Sequence, residues 1–230
     1  MPRWMRVASA CFLVLCASAC APSNPGIAIA GMVVPSNTCT FAVTNSVFLL
    51  NPRLDTALPP FVDGLPVTRD HITYDATFQV ENRILRRFNR IYPVMADPSN
   101  FLVEGADVEI TALDGSALPE LAGLPNPFRV TAVPVLVPAA IQETQGRAIA
   151  RIQVIPAVYG DSLVGIDGTL LVAVRIFGTT TGGSTQQTQE YVFPLELCNN
   201  CLFTLDDVSA MCVEETACSP GQNQRTVFCP

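Results

Sequence analysis

The chain has 230 residues and a formal net charge of −7, and every basic residue in it is an arginine. That acidity excludes a protein that grips nucleic acid through its phosphates, which calls for a basic face. Hydrophobic residues make up 49 % and charged residues only 14 %, so the chain can bury a core and is not disordered by composition, while nineteen prolines and fourteen glycines punctuate it into pieces too short for long helices.

Residues 1–20 read MPRWMRVASACFLVLCASAC. Arg3 and Arg6 form a basic start, Val7 to Leu15 an apolar run, and Ala17-Ser18-Ala19 a small-residue cleavage site before Cys20, the layout of a secretory signal. The apolar run is about half the ~20 residues needed to span a bilayer. Cys11 comes too early to follow an apolar core, and Cys16 follows Leu15, which is too large for a cleavage pocket. Ala17–Cys20 resembles the lipobox of bacterial lipoproteins, with Ala17 in place of the usual leucine. The resemblance implies that residues 1–19 are removed and that Cys20 carries the lipid. Several acyl chains, at ~0.8 kcal/mol per buried methylene, would anchor the chain stably. Ala21, where an aspartate would signal inner-membrane retention in that family, implies the outer membrane, with the body facing the periplasm or the cell surface. The alternative is an ordinary secretory signal cut after Ala19.

Residues 20–38 read as a lipidated tether with a possible short strand around Ile27–Val34. From residue 39 the pattern has period two. In Ile72–Glu81 the residues Ile72, Tyr74, Ala76, Phe78 and Val80 share one face, and Thr73, Asp75, Thr77, Gln79 and Glu81 share the other, which marks a strand with one buried and one wet side. Asn82–Tyr92 breaks the rhythm. Ile84, Leu85, Phe88 and Ile91 have helical spacing, and Arg83, Arg86, Arg87 and Arg90 occupy the other faces. This segment is either a patch for anionic headgroups or polysaccharide, or a solvated turn whose arginines pair with the chain's own carboxylates. Alternation returns at Ala106–Ala112, with Val108 and Ile110 inward, and at Ala148–Val154, with Ala150, Ile152 and Val154 inward. Leu170–Phe177 is apolar on both faces apart from Arg175, as a central strand should be. It leads through the glycine-rich 178–184 into Gln189–Cys198, a hairpin pattern, with Pro194 signalling an edge or a bulge. Short alternating strands separated by turns predict an all-β fold over 39–197, an antiparallel β-sandwich of the immunoglobulin-like kind, with a closed barrel as the alternative.

Residues 198–230 form a cysteine-rich tail. With Cys20 set aside, Cys39, Cys198, Cys201, Cys212, Cys218 and Cys229 make an even set outside the cytoplasm, which predicts three disulfides in one of fifteen connectivities. If all six pair, Cys39 joins a tail cysteine and staples the start of the sandwich to its end. Cys198-x-x-Cys201 follows a predicted strand rather than opening a helix, which argues against a redox pair; a zinc site is disfavoured in an oxidising space. The acidic pairs Asp206-Asp207 and Glu214-Glu215 could hold calcium but read as solvated acids. Gly160-Asp161-Ser162-Leu163 resembles the GDSL esterase motif. That chemistry needs a histidine near Ser162, and the chain's one histidine, His71, lies upstream.

Several features together resemble the uncharacterised outer-envelope lipoproteins of myxobacterial type. These are the lipobox, Cys39-Thr40-Phe41, Tyr74-x-x-x-Phe78-x-Val80-x-Asn82, Tyr191-x-Phe-Pro-Leu-x-Leu-Cys-x-x-Cys-Leu202 and Cys218-Ser-Pro-Gly-Gln222. The resemblance implies structure and place but no activity. The reading is a non-catalytic, membrane-anchored lipoprotein of the outer envelope, without cofactor or metal, in a structural or interaction role. The alternative is a ligand-binding module for polysaccharide or an envelope protein.

Overall fold

A strand that alternates apolar and polar residues needs a second apolar surface to lie on, and here two sheets supply it to each other. A computed structural model of the chain describes residues 26–33, 41–43, 48, 52–56, 72–86 and 97–199. It contains nine strands among the described residues: β1 (Ile27–Met32), β2 (Arg53–Asp55), β3 (Tyr74–Asn82), β4 (Phe101–Ala112), β5 (Phe128–Val137), β6 (Gly146–Ile155), β7 (Gly168–Thr180), β8 (Thr185–Gln187) and β9 (Tyr191–Cys198). A one-turn helix, α1 (Ala157–Asp161), links β6 to β7. One sheet has the order β1-β3-β6 and the other β2-β9-β7-β4-β5, with β8 continuing the hairpin beside β7.

The fold is an all-β sandwich, and its strand order is that of immunoglobulin-like sandwiches, A-B-E in one layer and G-F-C-C′ in the other. The large sheet is mixed rather than purely antiparallel, because β2 runs parallel to β9, Arg53 to Asp55 against Glu196 to Cys198. These segments come from distant parts of the chain, so no hairpin dictates their direction. The strand expected around 27–34 is β1. It is hydrogen-bonded to β3 from Ile27↔Asn82 to Met32↔Phe78, so the sandwich takes in residues that the sequence assigns to the tether.

The core lies where the inward rows meet. Ile72, Tyr74, Ala76, Phe78 and Val80 of one sheet face Phe101, Val103, Val108, Ile110, Val172, Val174 and Ile176 of the other, all buried. The Phe78 ring meets Tyr191 and Phe193 edge-on, with centroids 5.8 and 6.1 Å away, an arrangement favoured by the ring quadrupoles. The β4 ladders slip at Glu104 against both neighbours, a bulge that turns the strand. Gly105 follows it because an added Cβ would lie 2.2 Å from the Val130 carbonyl oxygen. Central β7 runs between β4 and β9 as its two apolar faces demand. Pro194 faces Leu171 in the part of β9 that β2 does not reach, so its missing N–H costs the ladder nothing on that side.

Two expectations differ from the structure. The outer row of β3 is not wet, since Thr77, Gln79 and Glu81 are buried. The Phe48 ring lies over Gly31, the partner of Gln79, and arginines roof Glu81. Residues 83–86 are not helical either. Leu85 forms a parallel bridge to Ala140, and the Arg86 N–H donates to the Ala140 carbonyl at 2.8 Å.

The sandwich has two distinct ends. At one, Gly26 leads into β1 beside Asn82 and Gly146, and Asn82 Nδ2 ties the two sheets by donating to the carbonyls of Ser99 at 2.8 Å and Val137 at 3.3 Å. At the other, β9 ends on Cys198 beside Gly168 and Asp55, and the α1 segment closes the space between the layers.

Candidate functional site

Of the residues that the sequence singles out, Cys20, Cys39, Cys201, Cys212, Cys218, Cys229, His71, Arg87 and Arg90, and the paired acids of the tail, lie outside the described residues. Cys198 is described. It closes β9, is half-buried and disulfide-bonded, and its Sγ lies 3.9 Å from the Leu54 carbonyl oxygen.

The Gly160-Asp161-Ser162-Leu163 stretch serves the fold. Gly160 lies where a Cβ would stand 1.8 Å from the Ile72 carbonyl oxygen. Asp161 Oδ1 accepts the Ile72 N–H at 3.1 Å. Ser162 Oγ donates to the Val158 carbonyl at 3.1 Å, and Leu163 is buried in the core. Next to them Tyr159 stacks on Phe128, centroids 4.0 Å apart, and donates its hydroxyl to the Pro125 carbonyl at 2.6 Å. Burial pushes the Tyr159 phenol above its ordinary range. Burial, with the Asp75 carboxylate alongside, pushes the Tyr74 phenol further up, so both remain protonated donors near neutral pH.

Two charged clusters remain. The first covers the outer face of the large sheet. Asp107 on β4 faces Arg129 on β5 and Arg175 on β7 in register. Arg129 donates twice to it, at 2.7 and 3.0 Å, and Gln187 Nε2 once, at 3.0 Å. The hydrogen bond from Arg129 holds the Asp107 carboxyl below the usual carboxylate range against the opposing effect of burial, helped by the charges of Arg129 and Arg175 and by the Gln187 hydrogen bond. Arg129 lies 4.3 Å above the Phe177 ring, and Arg175 pairs with Glu190 at 2.6 Å. Asp107, Arg129, Arg175 and Glu190, together with Glu109, Pro127 and Phe128, line a shallow depression of about 280 Å³. Such a surface offers fixed donors and acceptors to a polar ligand, with Asp107 and Arg129, and Arg175 and Glu190, already paired.

The second cluster sits at the Gly26 end. The Glu81 carboxylate, with 8 % of its side chain exposed, takes Arg147 Nη2 at 3.1 Å and Arg83 Nη2 at 3.3 Å. The Gln145 amide nitrogen faces it at 2.6 and 2.9 Å. Asp97, 7 % exposed, takes Arg86 Nε at 3.2 Å. The carboxylates lie inside and the guanidiniums partly in solvent, so the outermost layer of charge is basic. Sequence reasoning found Arg83 and Arg86. It missed Arg147, which lies just before the alternating run of Ala148–Val154 and carries no signal until β6 pairs with β3 and sets it opposite Glu81.

Among the described residues no group of three or more His, Cys, Asp or Glu side chains is arranged to hold a metal ion, and no helix is long and apolar enough to cross a membrane. Compared with protein-family models and with curated proteins, the chain matches no family model and no curated sequence.

Proposed function

We propose that this chain is a non-catalytic, lipid-anchored protein of the bacterial outer envelope that serves a structural or interaction role. In this reading acyl chains on Cys20 hold it to the outer membrane, and disulfides among Cys39, Cys198, Cys201, Cys212, Cys218 and Cys229 brace it. The supporting observation is where the chain joins the sandwich. Gly26, six residues after Cys20, enters at one end, and Cys198, where the cysteine-rich tail begins, leaves at the other. Strand β7 has 13 residues, and at roughly 3.3 Å per residue it makes the body a stiff spacer about 40 Å long between anchor and tail. Cys39 follows Val33 by six residues, and β1 runs toward the end at which β9 stops, which supports a bridge from Cys39 into the tail.

The test is affinity capture of the protein from crosslinked envelopes. Recovery of a stoichiometric envelope protein supports the structural role; recovery of the chain alone contradicts it. The second reading, a ligand-binding module for polysaccharide, draws on the charged depression around Asp107, Arg129, Arg175 and Glu190. Glycan in the capture that is lost with Arg175→Gln would favour it.

A further inference from the structure

The arginines at the Gly26 end do more than neutralise Glu81 and Asp97. We propose that this end of the sandwich is a membrane-contact surface that rests on anionic phospholipid headgroups, oriented by Arg83, Arg86 and Arg147 and seated by Leu85 and Ile141. The proposal rests on the Cys20 anchoring put forward above.

Connectivity brings this end to the bilayer. Arg83 N–H donates to the Gly26 carbonyl at 2.7 Å, so the basic cluster is bonded to the residue at which the tether meets the body. Gly26 lies six positions after Cys20, and a fully extended chain covers at most about 3.5 Å per residue. The Gly26 end therefore stays within about 20 Å of an acylated Cys20, and the Cys198 end lies a strand length from Gly26.

The chemistry of the two ends differs in the same sense. At the Gly26 end two large apolar side chains stand in solvent, Leu85 at 60 % and Ile141 at 50 % exposure, joined through the Leu85–Ala140 bridge. Around them are the partly exposed heads of Arg83, Arg86 and Arg147. Glu143, in the adjoining turn, is an exposed acid there. Apolar groups ringed by arginines are what an anionic interface takes up, the first entering the headgroup boundary and the second meeting phosphates. At the Cys198 end Leu113 is exposed to the same degree, 63 %, but its surroundings are Asp114, Glu120, Asp161 and Asp167, all exposed, and the nearby Arg53 is taken up by Glu196 at 2.8 Å. An anionic surface meets guanidiniums ahead of their carboxylates at the first end and exposed carboxylates at the second.

The sole tryptophan, Trp4, belongs to the proposed signal, so a single introduced tryptophan reports its own depth. Leu85→Trp and Leu113→Trp, each in the acylated chain and in the Cys20→Ser chain expressed without residues 1–19, would be mixed with vesicles of phosphatidylglycerol and brominated phosphatidylcholine. Bromine is expected to quench the fluorophore at position 85 and spare the one at 113 in both chains. Partition of the Cys20→Ser chain onto phosphatidylglycerol vesicles should fall at least about tenfold in Arg83→Gln/Arg86→Gln/Arg147→Gln, given the contribution of each arginine near an anionic surface. If that variant fails to fold, Leu85→Ser/Ile141→Ser, which alters only exposed side chains, should still weaken partition. Equal quenching at both positions, or partition unaffected by either variant or by headgroup charge, overturns the proposal. A failure of acylation is seen separately, in the mass of the N-terminal peptide, and leaves the Cys20→Ser measurements intact.

Discussion

The two ends of the sandwich are closed by different physics. At the Cys198 end the gap between the layers is filled by Tyr159 stacked on Phe128, with Leu121 and Leu163 buried around them. Apolar filling seals by area and tolerates small shifts. At the Gly26 end the layers are tied by directional bonds from Asn82 to Ser99 and Val137, and Arg147 and Arg83 close on Glu81 within the smaller sheet. Polar closure is geometrically exact but leaves charged heads at the rim. One end is thus sealed and surrounded by acids; the other is tied and ringed by arginines, and it is the end at which the chain from Cys20 arrives.

Substitutions should separate these two kinds of closure. Tyr159→Ala removes a buried aromatic ring and is expected to destabilise the fold by about 4 kcal/mol, measured by urea unfolding; a loss below about 1 kcal/mol would mean that the far end is not sealed by this ring. Asn82→Ala strands the Ser99 and Val137 carbonyls and the Ile84 N–H, at an expected cost of about 2 kcal/mol. The same measurement would count against polar closure if the protein kept its full stability. Glu81→Gln leaves Arg83 and Arg147 without their carboxylate. Because both guanidiniums reach solvent, about 1 kcal/mol is expected, read as a lower chemical midpoint with an unchanged slope.

The smallest effect belongs to Asp107, on the sheet face between the ends. Its folded pKa is lowered by Arg129, so the stabilisation is complete above the carboxylate's unfolded value near ~3.9 and is lost as pH falls through the folded value. Asp107→Asn should slightly flatten the acid limb of stability against pH and leave stability at neutral pH almost unchanged; a large loss at neutral pH would show that the exposed pair matters more than its solvation allows.

Much of this architecture is written in period two. Phe78 and Val80, Val108 and Ile110, and Ile152 and Val154 face inward as their alternation requires, and β7 is central because Leu171 and Ala173 are apolar on its second face. Other elements carry no such signal. Three residues, Arg53–Asp55, are too few to display a period. In β5 the alternation of Phe128, Val130 and Ala132 with Arg129 and Thr131 is cut by Pro134, and the exposed Val133 and Leu136 blur the inside face. The site at the Gly26 end was half legible. Arg83 and Arg86 stand in a visibly basic run, but nothing local says that Glu81, two residues from Arg83, turns inward, or that Arg147 lies across the ladder from it. That pairing is a property of the sheet. Helical spacing at Ile84 and Leu85 misled because their backbone is spent on Ala140 instead.

The most direct test of the whole account is the N-terminal peptide of the native protein extracted from membranes, weighed by mass spectrometry. The expected result is a chain beginning at Cys20 with acyl chains on its sulfur and new amino group. A chain beginning elsewhere, or a Cys20 without lipid, would contradict it and remove the reason for one end of the sandwich to face a bilayer.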